Sequence, residues 1–286
     1  MKRTSQVTRG RHATATSQLI EGILAAATAA GLVDSARVEP LRAGVSARSV
    51  GIQQSGRVSE TALLWLWGAL ADLAGGHRVG AELAPFAGAS AWAVVGEAAI
   101  HAVSLTDAFE RVARYVRLAV DGVRIGIDVN DRSFTVTYRL LGSGANPSSG
   151  GAAAAMLWAN ANLALLPERA FGVRLRPVSA ELACVAPGDT GGVIADIFGT
   201  DVKFGTADWR LVFERAAVLA VSRPIASSAL GYIDVYAEKE LRNVPAIDDI
   251  VGLVATGVGE PDDLCLGGLG LQQKRREVLG VERSAH

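Results

Sequence analysis

The side chains that could carry chemistry are few and do not converge. Glu97 and His101 stand four positions apart, which puts both on one face of a helix, where a carboxylate could orient an imidazole as a general base. Two ligands without a third make no metal site, and a solvated surface pair is the plainer reading of the same spacing. Gly88-Ala89-Ser90-Ala91-Trp92 sets a serine among small residues but lacks the second glycine of a nucleophile elbow. Gly268-Leu269-Gly270 is not completed into a dinucleotide fingerprint, and no phosphate-cradling glycine-lysine loop occurs. Cys184 and Cys265 sit in no metal-type spacing, and the four histidines (His12, His77, His101, His286) are scattered. The expectation is a chain that is not an enzyme, carries no cofactor or metal, and keeps its thiols in a reducing cytoplasm.

Charge narrows the partners. Twenty-eight basic against twenty-nine acidic residues leave a formal charge of −1, so no overall positive field draws the chain to nucleic acid, and any DNA contact must be local. Arg111, Arg114 and Arg117 share one side of a helix, which fits either a phosphate partner or a solvated face. Lys2, Arg3, Arg9 and Arg11 precede an apolar run, Leu19 to Val33, that imitates a secretion signal. Glu21 interrupts the run, and its spacing suits an ordinary first helix. No stretch reaches the ~18 uninterrupted apolar residues of a membrane span, so no membrane partner is expected.

The elements that must position these groups can be read from periodicity. A helix is expected from about Ser17 to Ala30, with Leu19, Ile23, Ala26, Ala27 and Ala30 on one side. Ser59 caps the clearest helix, whose stripe is Leu63, Leu64, Trp67, Leu70, Ala71 and Ala74 and whose stop is Gly75-Gly76. Trp65 falls off that stripe, toward a neighbouring helix or a ligand. Ser104 to Asp107 has capping-box spacing before the seam Leu105, Phe109, Val112, Val116, Val120. Val123, Ile125, Ile127 and Val129 alternate with polar positions, Asn130-Asp131 turns the chain, and Phe134, Val136, Tyr138 and Leu140 return as an antiparallel hairpin with one buried face. After a glycine-serine loop at 142–151 come an alanine-rich helix, Ala152 to Leu166, and short strands near 172–176, 180–185, 201–204 and 209–213. A helix near 190–198 interrupts those strands, and a last one follows Pro224 as far as about Asn243. The fold class expected is α+β, helices packed around a small mixed or antiparallel sheet, followed by a short all-α tail.

From Ser59 onward this order of elements is similar to the effector-sensing half of the AraC family of transcription regulators. Three stretches carry the resemblance: Ser104 to Tyr115, the hairpin Val123 to Leu140, and Ile197-Phe-Gly-Thr-Asp-Val-Lys-Phe-Gly205 with Trp209 to Phe213, Leu219 and Pro224. Beyond Pro245, Ile247 to Val254 and Asp263 to Leu271 resemble the start of the family's helix-turn-helix half. The residues after Pro245 have room for one such unit but not two, at about 11–12 residues per helix plus turns, and Gly267-Gly268 weakens the first.

The resemblance implies a basic flexible tail over 1–16, an effector-sensing domain over 17–243 and a truncated helix-turn-helix remnant over 244–286. It implies three partners: a small-molecule effector, DNA, and a second copy in a two-fold dimer joined through the 227–243 helix. In the remnant, Lys274, Arg275 and Arg276 would hold phosphates while Gln272 and Gln273 reach base edges. The effector pocket would lie where the hairpin meets its flanking helices, with Trp92, Tyr115, Tyr138 and Trp158 as aromatic candidates and Arg139 as an anion partner. The alternative expectation is a ligand-binding, dimerising module that makes no DNA contact and modulates a full-length relative.

Overall fold

A computed structural model describes residues 13–52, 56–141, 150–188, 191–199, 201–223 and 229–244. Its organising layer is a five-stranded mixed sheet in the order β3 (Val123–Val129), β4 (Ser133–Leu140), β7 (Trp209–Glu214), β5 (Ser179–Leu182), β6 (Val202–Phe204). Strands β3 and β4 form the expected hairpin, with Val123 opposite Leu140 and Val129 opposite Phe134. Strand β7 joins β4 antiparallel and sets Leu211 against Val136 and Phe213 against Phe134. Strand β5 pairs antiparallel with β7 and parallel with β6. The period-2 alternation of β4 buries Phe134, Val136 and Tyr138 on one face.

Helix α6 (Leu105–Ala119) covers that face, its Phe109 ring lying 5.3 Å from Phe134 and 5.4 Å from Phe213. Ser104 caps it as expected, Oγ accepting from the Asp107 amide at 3.1 Å. Two short strands, β1 (Thr14–Thr16) and β2 (Arg57–Ser59), pair antiparallel ahead of α1 (Ser17–Ala29) and α3 (Glu60–Ala74). They are fastened to the body by a buried network. Asp121 accepts from the Thr14 amide and hydroxyl, both at 2.6 Å, and Arg57 donates to Thr14 Oγ1, to the Leu118 carbonyl and to Asp121.

Helix α2 (Ser35–Arg48) was not foreseen, because Pro40 lies inside it and only Leu41 and Val45 of its side chains are buried. Trp65 resolves toward this helix, with the Arg48 guanidinium 4.0 Å above its ring. Small helices α4 (Val79–Leu83) and α5 (Val94–Ile100) frame two 3-10 turns, Ala84–Phe86 and Ala89–Trp92. The central helix is α7 (Gly150–Ala164), buried along almost its whole length. It is followed by α8 (Leu166–Phe171), α9 (Val193–Phe198), α10 (Arg215–Ala220) and α11 (Leu230–Leu241).

Residues 172–176, expected as a strand, are irregular. The three arginines of α6 line its contact with the chain's last described helix, Arg114 while still 63% exposed. Arg111 pairs with Asp234, Arg114 with Glu238 at 2.7 Å, and Arg117 donates to the Val244 carbonyl, so this face docks α11. No helix among the described residues is long and apolar enough to cross a membrane.

Helix α4 lies directly on α7 because Gly80 has no side chain: a Cβ there would collide with the Ala154 carbonyl and lie 2.8 Å from the Trp158 nitrogen. Gly80→Ala should therefore force the two backbones apart, costing ~1–3 kcal/mol as an overpacked contact does. The expected drop in Tm is about 2–10 °C, and a calorimetric Tm that stays put would mean α4 is free to move.

Candidate functional site

Between α7, the hairpin and the 89–100 segment lies an apolar cavity in two chambers. The wider, with about 50 Å3 of free interior, is walled by Trp92, Ala99, Val112, Ile125, Tyr138 and Leu163, with Asn162 and Arg169 as its polar groups. The narrower, with about 30 Å3 of free interior, is walled by Glu60, Trp67, Trp92, Tyr138, Leu140 and Trp158. Trp92, Tyr138 and Ala159 belong to both.

Each wall has a local cause. Tyr138 points inward because β4 alternates and its neighbours Thr137 and Arg139 take the other face. Trp158 and Asn162 stand four apart on α7 and so share a face. Trp92 ends a 3-10 turn and stacks on Trp158, centroids 4.7 Å apart and planes at 11°, while Trp158 tilts against Trp67 at 5.4 Å. The residue after Trp92, Ala93, has φ 53° and ψ −140°, and it alone among the described non-glycine residues takes a positive φ. A conformation of that kind persists only where the surroundings hold it. Here it turns the chain sharply into α5.

The polar groups are few and poorly satisfied. Glu60, the first residue of α3, is 7% exposed, and its Oε1 has no hydrogen-bond partner. Burial, and then the negative charge of Asp121, push its carboxyl up to about 7. The same burial, with Glu60 nearby, raises the Tyr138 phenol. The indole nitrogens of Trp92 and Trp158 are also buried without acceptors. At the far end Arg169 donates to Asn162 Oδ1 and to the Ala84 carbonyl, and burial lowers its guanidinium to about 10. Asn162 itself donates to the Trp158 carbonyl at 2.7 Å.

Of the five ligand-binding candidates named from sequence, the structure brings Trp92, Tyr138 and Trp158 together. Tyr115 lies elsewhere: its hydroxyl donates to Glu238 of α11 at 2.9 Å, and burial and that contact raise the phenol to about 12. Arg139 points away from the cavity, 61% exposed and 3.5 Å from Asp208, as its odd position in the β4 alternation requires. Gln272, Gln273, Lys274, Arg275 and Arg276 lie outside the described residues, as does Cys265. Cys184 is buried, its thiol pushed up to about 12 by that burial. Glu97 and His101 are a half-exposed pair at 3.8 Å, away from the cavity walls. Among the described residues no three His, Cys, Asp or Glu side chains gather as a metal site would need.

Of the polar and aromatic residues lining the cavity, four escaped the sequence reading: Glu60, Trp67, Asn162 and Arg169. An acid in a helix's first turn and a tryptophan on an apolar stripe are ordinary, so neither stood out. Asn162 left a legible trace, as one of two amides, with Asn160, in an otherwise apolar, glycine-led helix.

A family model for the arabinose-binding domain of AraC transcription regulators, N-terminal, matches residues 40–220. The chain belongs to the AraC family of transcription regulators. It is a regulator with a ligand-binding domain, and the matched span contains every cavity residue except Leu19. The crystal structure of the transcriptional regulator CdpR from Pseudomonas aeruginosa is similar at a TM-score of 0.44 and 16% identity, over 88% of this chain and 88% of that one. No curated protein matches the sequence.

The raised Glu60 carboxyl makes a stability prediction. The unfolded chain ionises this group near 4.5 and the folded one only near 7, so the folded state loses stability as pH rises between those values and the full penalty persists above them. Glu60→Gln should match the parent protein below pH 4.5 and exceed it by up to ~3 kcal/mol at pH 8. Thermal melts at both pH values check this; equal gains at the two would show that Glu60 ionises freely.

Proposed function

We propose that this AraC-family regulator takes a small-molecule effector into the two-chambered cavity and works on DNA as a dimer. The observation that carries the effector reading is the cavity itself: mostly apolar walls, three aromatic residues shared or stacked across its waist, and a handful of buried polar groups without partners. Binding sites for small molecules have this composition, the apolar wall giving affinity and the few polar groups orientation. Unsatisfied buried polar atoms are costly in an empty protein and are relieved by a ligand that completes them.

Helix α11 is the proposed dimer element. Tyr232, Val235 and Tyr236 stand 82%, 73% and 55% exposed at positions i, i+3 and i+4, an apolar strip on a helix whose other side is pinned to α6. Lys274, Arg275 and Arg276 are the proposed phosphate contacts and Gln272 and Gln273 the base-reading pair, on the likeness of their stretch to a recognition helix.

Two measurements test the output side. In a gel-shift titration against its own upstream DNA, replacing Lys274, Arg275 and Arg276 together with Ala should reduce the slope of log affinity on log salt by about 3 per chain. Absence of any salt-sensitive shift in the parent protein would remove DNA binding from the reading. Replacing Tyr232 and Val235 with Glu should leave a folded monomer in sedimentation, whereas an undisturbed dimer would place the interface elsewhere.

A further inference from the structure

The narrow chamber has a chemical bias that the wider one lacks. Its single ionisable acid, Glu60, has an oxygen with no hydrogen-bond partner and no basic residue beside it in the wall. The neighbouring acid, Asp121, is already taken by Thr14 and Arg57, so it adds negative charge behind Glu60 and offers it nothing. The rest of the wall is aromatic and aliphatic, with Trp67, Trp92, Trp158 and Tyr138 lining the same chamber as the carboxyl.

Resting on the reading of this cavity as the effector pocket, we propose that the group recognised here is a positively charged organic amine. Its ammonium N–H donates to Glu60, and its apolar body runs past Trp92 and Tyr138 into the wider chamber. A cation is the one class of ligand head that the whole wall favours, since it neutralises the carboxylate and is attracted by electron-rich aromatic rings. An anion would meet Glu60 with Asp121 behind it and find no compensating base. A sugar would need a polar partner for each of several hydroxyls, and this wall supplies one carboxyl, one phenol and the indole N–H groups. The chemistry of this chamber therefore differs from what the family description, an arabinose-binding domain, suggests.

The same geometry predicts a pH dependence. The charged or titratable groups facing Glu60 are Asp121, with its partner Arg57, and Tyr138; burial and Asp121 together hold the carboxyl protonated up to about 7. An ammonium needs the ionised form, so affinity should rise as pH passes through that value while the amine itself stays charged.

The test uses the full chain and three probes of equal length that differ only in the head: hexylamine, 1-hexanol and hexanoate. Calorimetric titration and quenching of the tryptophan fluorescence at pH 8 should give hexylamine about a tenfold advantage over the other two. That advantage should disappear in Glu60→Gln, and hexylamine should bind the parent protein about tenfold more weakly at pH 6 than at pH 8. Absence of hexylamine binding, hexanol or hexanoate binding as tightly, a retained advantage in Glu60→Gln, or a flat pH profile would each overturn the proposal. If the variant does not fold, the pH profile and the head-group comparison in the parent protein decide. No DNA is involved. A silent gel shift beside selective amine binding would therefore sink only the regulator reading, and a salt-sensitive shift without amine preference would sink only the ammonium.

Discussion

The structure turns on how closely other elements can approach α7. Its sequence is dominated by alanine and glycine, and small residues let α4 and α3 settle onto its backbone at Gly80 and Gly151 with almost no side chain between them. A helix apolar on all sides must be buried on all sides, and this one is. Where its residues are large, at Met156, Trp158 and Leu163, they reach past those close contacts toward the hairpin. Alternating tight contact with long reach leaves room between helix and sheet, and the chambers occupy that room.

That arrangement explains what could and could not be read from the amino-acid order. Elements whose signal is local were legible: the hairpin from its strict alternation, α3 and α6 from serine caps and apolar seams, and the turn at Gly75, whose φ of 78° favours glycine. Tyr138, Trp158 and Trp92 were legible as aromatic side chains with a polar handle, and the alternation of β4 turns Tyr138 inward. Elements whose stability comes from tertiary contact were invisible. Helix α2 carries a proline and little apolar surface, the strands β1 and β2 are three residues each, and α8 and α10 are too short to show a period. The same holds for site residues. Tyr115 and Arg139 had the right chemistry, but their direction is set by α11 and by sheet parity, neither of which a residue type declares.

The cavity's polar groups set stability against occupancy. Arg57 and Asp121, equally removed from water, are knitted into a complete set of bonds and act as a fastener. Glu60, on the neighbouring turn of chain, is left incomplete. Two buried acids close enough in space for one to raise the other's pKa, yet so different in satisfaction, separate a residue that fastens the fold from one left open to the pocket.

The contact between α6 and α11 has a mechanical consequence. Only Leu230 and Ala237 of α11 are buried, and most of its named bonds to α6 run through Arg111, Arg114, Tyr115, Asp234 and Glu238. The charged part of this joint softens as counter-ions crowd in, while Ile233, Ala237 and Leu241, packed on the core, do not. The last described helix is thus coupled to the rest of the described fold partly through a connection that responds to its ionic surroundings.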